Sequence, residues 1–342
     1  MRNWASASSG CRAASEPEPA RGVGLTQDPP PGGSELPWPL EAIARRPQWA
    51  ALIGAMCIAF SGIFYRWAEV TPSTGTLFRC LFGLPILALV AYAERRRFGP
   101  LPRTTIGLAI VAGVFFAGDL TFWHHAIEAV GAGLATVLGN LQVLIVGIVA
   151  WAFLGERPSR ATIVALPVVL VGVALISGVG GGAYGRDPVL GVVLGVLTAL
   201  CYAGYLLVIR RGGRDIRRPA GPVAVATAST AVVAALIGLA AGDLDPTPSL
   251  ESLGWLALLG VTSQSAGYLM ISLSLPRLPA VVTSIILLAQ PVATVFLSMW
   301  LLAEAPSGIQ LAGVTLVIGG IFYATVATSR ARAAETRTAT AA

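Results

Sequence analysis

Ten stretches of about 20 predominantly apolar residues follow one another along this chain, each long enough to cross roughly 30 Å of hydrocarbon at 1.5 Å per residue. The first five are Gln48–Trp67, Ser73–Ala93, Thr105–Ile127, Ala132–Leu154 and Arg160–Val179; the second five are Pro188–Ile209, Ala220–Ala241, Ser252–Leu275, Ala280–Ala303 and Gly308–Ala327. Inside lipid no water is available to the backbone, so every N–H and C=O must be bonded within the protein and each run is expected to be a helix. The connections are short and rich in Pro, Gly and Ser, for example Glu69-Val70-Thr71-Pro72 and Ala305-Pro306-Ser307. They leave no room for a soluble domain between spans.

The charges agree with a membrane protein. Only 26 charged side chains fall in the 281 residues from Pro47 to Ala327, far below the roughly 25% of a soluble domain. All 23 basic residues are Arg and the formal net charge is +6. In such a chain the excess reads as orientation, not as affinity for nucleic acid, which is excluded as a partner. Arg45, Arg46, Arg95, Arg96, Arg97, Arg103, Arg157, Arg160, Arg210, Arg211, Arg214, Arg217, Arg218, Arg277, Arg330 and Arg332 fall on one side of the expected membrane. The opposite loops hold Arg66 and Arg186 and an acidic stretch with Asp243, Asp245 and Glu251. Both termini are therefore expected in the cytoplasm of a multi-pass protein of the inner or plasma membrane. Residues 1–47 read as a disordered cytoplasmic tail without the apolar core of a signal peptide, and residues 328–342 as a second cytoplasmic tail.

Nothing in the chain points to catalysis. It has no Lys and hence no phosphate-binding GxxxxGK[ST] loop, no HExxH, and no GxSxG at a strand-to-helix turn. Cys11, Cys57, Cys80 and Cys201 form no CxxC pair, so neither zinc nor a disulfide framework is expected. No catalytic residue, metal site or cofactor is assigned, and any work the protein does must draw on gradients. The rival from another class is a membrane-embedded lipid-modifying enzyme, which would need an acidic cluster facing the headgroups; only Asp119 and Glu128 come near one.

The chain also repeats itself. A shift of 148 places Leu154-x-Glu156-x-Pro158-Ser159 on Leu302-x-Glu304-x-Pro306-Ser307, Gln142 on Gln290 and Gly172 on Gly320; a shift of 142 aligns Phe60-Ser61-Gly62 with Tyr202-Ala203-Gly204. An odd number of spans per repeat forces the halves, 48–179 and 188–327, into opposite orientations, and an inverted repeat of this kind puts its substrate site between the halves near the midplane. The expected fold is thus an all-α membrane protein of ten transmembrane helices in two inverted five-helix repeats. With Arg79 in the second span, Ala126-Ile127 closing the third, Leu154-Gly155-Glu156-Arg157 closing the fourth and Leu302-Ala303-Glu304 closing the ninth, residues 48–327 resemble the drug/metabolite transporter superfamily, in particular its EamA-type branch. The resemblance implies transport of a small-molecule substrate, often efflux of amino acids, other metabolites or drugs, with import or exchange as the alternative. Protons or a counter-substrate are the candidates for coupling.

The polar groups inside the runs supply the site candidates. Arg79 stands about 8–9 Å below the outer end of its span by helical rise, and a charge there is costly unless it faces a cavity or a partner. Asp119 is expected at a similar depth, so the two could pair structurally, bind the two poles of a zwitterion or carry a proton. Asn140, Gln142 and Gln290 are expected at the midplane, with Phe60, Trp123, Tyr202 and Tyr268 lining the same cavity. Pro291 should free a backbone carbonyl and kink the ninth span. His124 and His125 are expected as solvated residues near the outer surface, Glu128 as a solvated rim residue, and Glu156 and Glu304 as structural acids that pair with a loop Arg or serve the helix start that follows each of them.

Overall fold

The computed structural model describes residues 46–341, apart from 147, 149–159, 179–182, 213, 214, 216, 275–277 and 279. Among the described residues all regular structure is helical. The elements are α1 (Pro47–Ala59), α2 (Ser61–Ala68), α3 (Pro72–Phe98), α4 (Arg103–Val130), α5 (Ala132–Gly139), α6 (Arg160–Ile176), α7 (Pro188–Gly212), α8 (Ala220–Ala241), α9 (Leu250–Leu259), a π-helical segment (Gly260–Gly267), α10 (Tyr268–Ser274), α11 (Ala280–Leu301) and α12 (Gly308–Ala341). Pro47 and Pro72 open their helices, where the missing N–H costs nothing.

Among the described residues, seven helices are long and apolar enough to cross a membrane: Pro47–Ala68, Pro72–Phe98, Arg103–Val130, Pro188–Ile209, Ala220–Ala241, Leu250–Ser274 and Gly308–Arg330. Shorter apolar helices, Ala132–Val146, Arg160–Ile176 and Ile286–Leu301, stand at the fourth, fifth and ninth expected runs. Glu156, Arg157, Arg214 and Arg277, and with them the Leu154–Ser159 half of the repeated motif, lie outside the described residues, as do residues 1–45. The surface is apolar, with Leu89, Leu239, Phe296 and Trp300 among the exposed side chains, while Arg79, Glu94, Asp119, Gln264 and Gln310 are buried. That inversion is what a lipid-facing exterior requires.

Helix pairing brings distant segments together. α4 packs on α7 and α8, α3 on α8, α6 on α12, and α1 on α11 and α10. Small residues permit the closest crossings. A Cβ added at Gly113 would stand 2.4 Å from the Ala226 carbonyl oxygen, and one at Gly260 would stand 2.7 Å from the Arg79 carbonyl oxygen. A shift of 147 converts the first pair into the second. Likewise Gly172 abuts the Gly313 carbonyl at 2.8 Å and Gly320 approaches the Ala165 carbonyl at 3.6 Å, two contacts related by 148. The partner of Arg79 in this relation is Ala226, so its charge has no counterpart in the second half.

Two helices depart from regular geometry. The eighth run forms α9 and α10 joined by the wider π turns of Gly260–Gly267, where Ser265 Oγ donates to the Gly83 and Gly260 carbonyls. The fourth run breaks after Gly139, turns at residues 140–141 and resumes as helix at 142. The ninth run, in which Pro291 was expected to give a kink, continues as one helix from Ala280 to Leu301.

Candidate functional site

A cavity of about 350 Å³ lies among the helices, with a wall drawn from nearly all of them. The α1–α2 junction contributes Ile58 and Ser61, α3 Arg79, and α4 Asp119, Leu120 and Trp123. The broken fourth run gives Thr136, Asn140 and Gln142; α7 gives Thr198, Tyr202 and Tyr205; α10 gives Tyr268 and Ser272; α11 gives Leu287 and Gln290. Asn140 Nδ2 donates to the Thr136 carbonyl at 2.8 Å, which satisfies a carbonyl close to the break. Proline at 291 offers no N–H to the carbonyl four residues earlier, that of Leu287, and Leu287 is on the cavity wall. The expected free carbonyl is thus available without the kink.

The aromatic wall is tightly ordered. Phe116 stacks on Tyr205 with ring centroids 4.7 Å apart and meets Tyr268 edge-on at 5.5 Å, and Tyr202 stacks on Tyr205 at 5.7 Å. Such pairs add roughly 0.5–1.5 kcal/mol each beyond burial, which fixes the phenol rings as a rigid face.

Arg79, Asp119, Trp123, Asn140, Gln142, Tyr202, Tyr268 and Gln290 line one cavity. Phe60 does not join them. It stands where α1 breaks from α2 and stacks on Phe64 at 5.7 Å, and Phe64 in turn meets Trp67 and Trp255. Arg79 and Asp119 line the same cavity but form no ion pair within 4 Å. Thr136 and Thr198 were missed. Their signal was the spacing, since each lies four residues before a chosen residue, Asn140 or Tyr202, on the same helical face.

Two further expectations are corrected by packing. His124 is fully buried, not solvated: Nδ1 lies 2.9 Å from Thr76 Oγ1 and 3.2 Å from the Pro72 carbonyl oxygen, and the ring stacks on Tyr65 at 3.9 Å. Glu128 is exposed, as expected of a rim residue, and there accepts a hydrogen bond from Tyr65 Oη at 3.1 Å and lies 3.7 Å from His125 Nδ1. Glu304 is buried and serves a helix start, but not the one that follows it. Its carboxylate accepts from the Ala132 N–H at 2.6 Å and the Gly133 N–H at 3.2 Å, the first turn of α5, 172 and 171 residues away. Gly131, at φ +88°, has no side chain to obstruct that carboxylate, which would stand 2.6–2.7 Å from an added Cβ. Glu94, which the sequence left at the end of a span, makes the same kind of contact with Ala220 and Gly221 N–H groups at 2.9 and 2.8 Å.

The sequence profile of the EamA-like transporter family matches residues 46–178 and matches again over 189–326. This chain belongs to the EamA-like transporter family. Relatives carry matching names: "Uncharacterized transporter sll1319" of Synechocystis sp. is 24% identical over 277 residues, covering 75% of this chain and 82% of that one. "Uncharacterized transporter YwfM" of Bacillus subtilis is 23% identical over 270 residues, covering 78% and 88%. A solved structure described as "Crystal structure of protein" shares the fold of this EamA-like transporter, with a TM-score of 0.56 and 21% identity over 83% of this chain and 98% of that one.

If the cavity amides of this EamA-like transporter hold substrate, Gln142→Leu and Gln290→Leu should leave it folded, because an apolar side chain of similar size is at home among these helices. Affinity should fall by about 1–3 kcal/mol for each hydrogen bond lost. Melting and binding curves on the same purified variants decide it. Reduced melting temperature with unchanged affinity would assign the amides to helix packing instead.

Proposed function

We propose that this protein is a secondary transporter that exports a small metabolite or drug-like solute, an amino acid or related compound, across the cell membrane by alternating access. The reading takes the ten apolar segments as ten spans in two inverted halves, 48–179 and 188–327, with both termini cytoplasmic. The observation that carries it is the cavity, because both halves contribute polar side chains to one space and Gln142 and Gln290 enter it from repeat-related positions. The crossings related by shifts of 147 and 148 support the same twofold arrangement.

We read the cavity as closed at one end and approached from the other. Near the end of α4 and the start of α5, Glu304 joins the segment just after α11 to α5, Tyr65 bonds Glu128, and Phe64, Trp67 and Trp255 fill the space. Toward the other end the wall extends to Ile209, Val223 and Ile271. Since the Arg-rich loops mark that second end as cytoplasmic, this conformation reads as closed outside and approached from within. Export from such a state begins with loading from the cytoplasm. Import or exchange through the same cavity differs only in which gradient drives the cycle.

Uptake and efflux of a labelled metabolite panel in proteoliposomes test the reading. Gradient-driven flux of at least one solute is expected, and flux of none in either direction would overturn it. Orientation is tested separately by a cysteine at Thr247, which should react with an impermeant reagent from outside, and one at Gly212, which should not. The reverse pattern would invert every side assigned here.

A further inference from the structure

We infer that the transported solute bears an oxyanion group, a carboxylate or a similar acid, and that Arg79 is its anchor; this rests on the reading of the cavity as the transport site. Arg79 is 2% exposed, yet its Nε and Nη1 have no hydrogen-bond partner. Among the described residues no carboxylate lies within 4 Å of it. Its Cζ sits 5.9 Å from the Trp123 ring centroid, a contact that offsets only part of the cost of burying a guanidinium. Buried charges are ordinarily paired and hydrogen-bonded. A guanidinium with idle donors on a cavity wall is therefore short of one anion, and its planar fork fits the two oxygens of an acid group.

Asp119 does not fill that role here. It lies on the same wall at 6% exposure without pairing with Arg79, and the other titratable groups around it are Cys201, Tyr202, Tyr205 and Tyr268. An oxyanion seated on Arg79 approaches the Asp119 carboxyl, so that charge must be matched in the same step. Either a proton held on Asp119 or a cationic group on the solute does so. The remaining polar groups, Asn140, Gln142, Gln290 and the phenols, offer hydrogen bonds without charge. About 350 Å³ is near the small end of ligand cavities, which fits a metabolite-sized acid.

The purified full-length protein in nanodiscs is titrated with benzoate, benzyl alcohol and benzylamine, one ring carrying an anion, a neutral group and a cation, with melting temperature and tryptophan fluorescence as readouts. Benzoate should bind about tenfold tighter than either analogue. Arg79→Gln should erase that preference, and Arg79→Lys should retain part of it. The ranking in the unmodified protein tests the inference even if neither variant folds. Para-aminomethylbenzoate and a pH series separate the two ways of matching Asp119. A zwitterion that outbinds benzoate, with the gain lost in Asp119→Asn, assigns the match to the solute; benzoate binding that strengthens at low pH, with the dependence lost in Asp119→Asn, assigns it to a proton. Equal binding of the three rings, preference for the amine, or binding of none overturns the oxyanion site. So does unchanged benzoate affinity in Arg79→Gln. These outcomes leave the transport reading standing, since that reading fails only if no labelled solute of any charge shows flux.

Discussion

Glu304→Ala is expected to lower stability by about 2–4 kcal/mol and to raise labelling at the closed end of the cavity. The carboxylate satisfies two buried N–H groups, of Ala132 and Gly133; leaving each unpaired costs roughly 1–3 kcal/mol, and a negative charge at a helix start adds up to about 2 kcal/mol in a partly buried setting. The contact also joins α5 to the segment just after α11, two parts of the chain that flank the cavity from opposite halves. Loss of the link should therefore change conformation as well as stability. Ala303, the residue before it, holds φ +52°, a left-handed conformation that a non-glycine residue keeps only where its surroundings enforce it. A cysteine at Thr136, read with an impermeant reagent applied from outside, should react faster in Glu304→Ala than in the parent. Lower melting temperature with unaltered labelling would make the contact a packing device and not a gate.

Glu94→Ala should cost about the same in stability with no change in labelling at either end. Its carboxylate likewise holds two N–H groups, at the start of α8, but the α3–α8 pair is tied at its other end too. There Thr71 Oγ1 donates to the Asp243 carbonyl and the Asp245 N–H donates to Thr74 Oγ1 at 2.8 Å. Arg218 reinforces the Glu94 end by donating to the Phe98, Gly99 and Pro100 carbonyls at the end of α3. A pair bonded at both ends behaves as a fixed post. Thermal unfolding beside cysteine labelling distinguishes the two acids, and altered accessibility in Glu94→Ala would show that α3 and α8 move as well.

The difference between these acids was not legible in the chain. Glu304 stood out because the motif around it recurs, yet its spacing pointed to the next helix start and the true partner lies in the other half. Glu94 attracted no notice, since an acid beside Arg95–Arg97 reads as an ordinary loop charge. His124 looked like an interfacial residue by depth, and only the rotation of α4 about its axis turned it inward onto Tyr65 and Thr76. Each residue rotates a helix by about 100°, so a depth estimate accurate to one turn still says little about which way a side chain faces.

What the sequence determined by itself was the set of apolar helices and most of the polar residues of the cavity. Those follow from physics that acts along the chain: lipid forces the backbone to bond within each segment, and it penalises every polar side chain that does not turn inward. Arg79, Asp119, Asn140, Gln142 and Gln290 had nowhere else to face. Tertiary structure alone decided that Phe60 leaves the cavity, that the fourth run and not the ninth is broken beside it, that Arg79 and Asp119 stand apart, and which helix start each buried carboxylate serves. These depend on how helices from distant segments cross, and the crossings are set by close approaches such as Gly113 on Ala226 and Gly260 on Arg79, contacts between surfaces that no local pattern encodes.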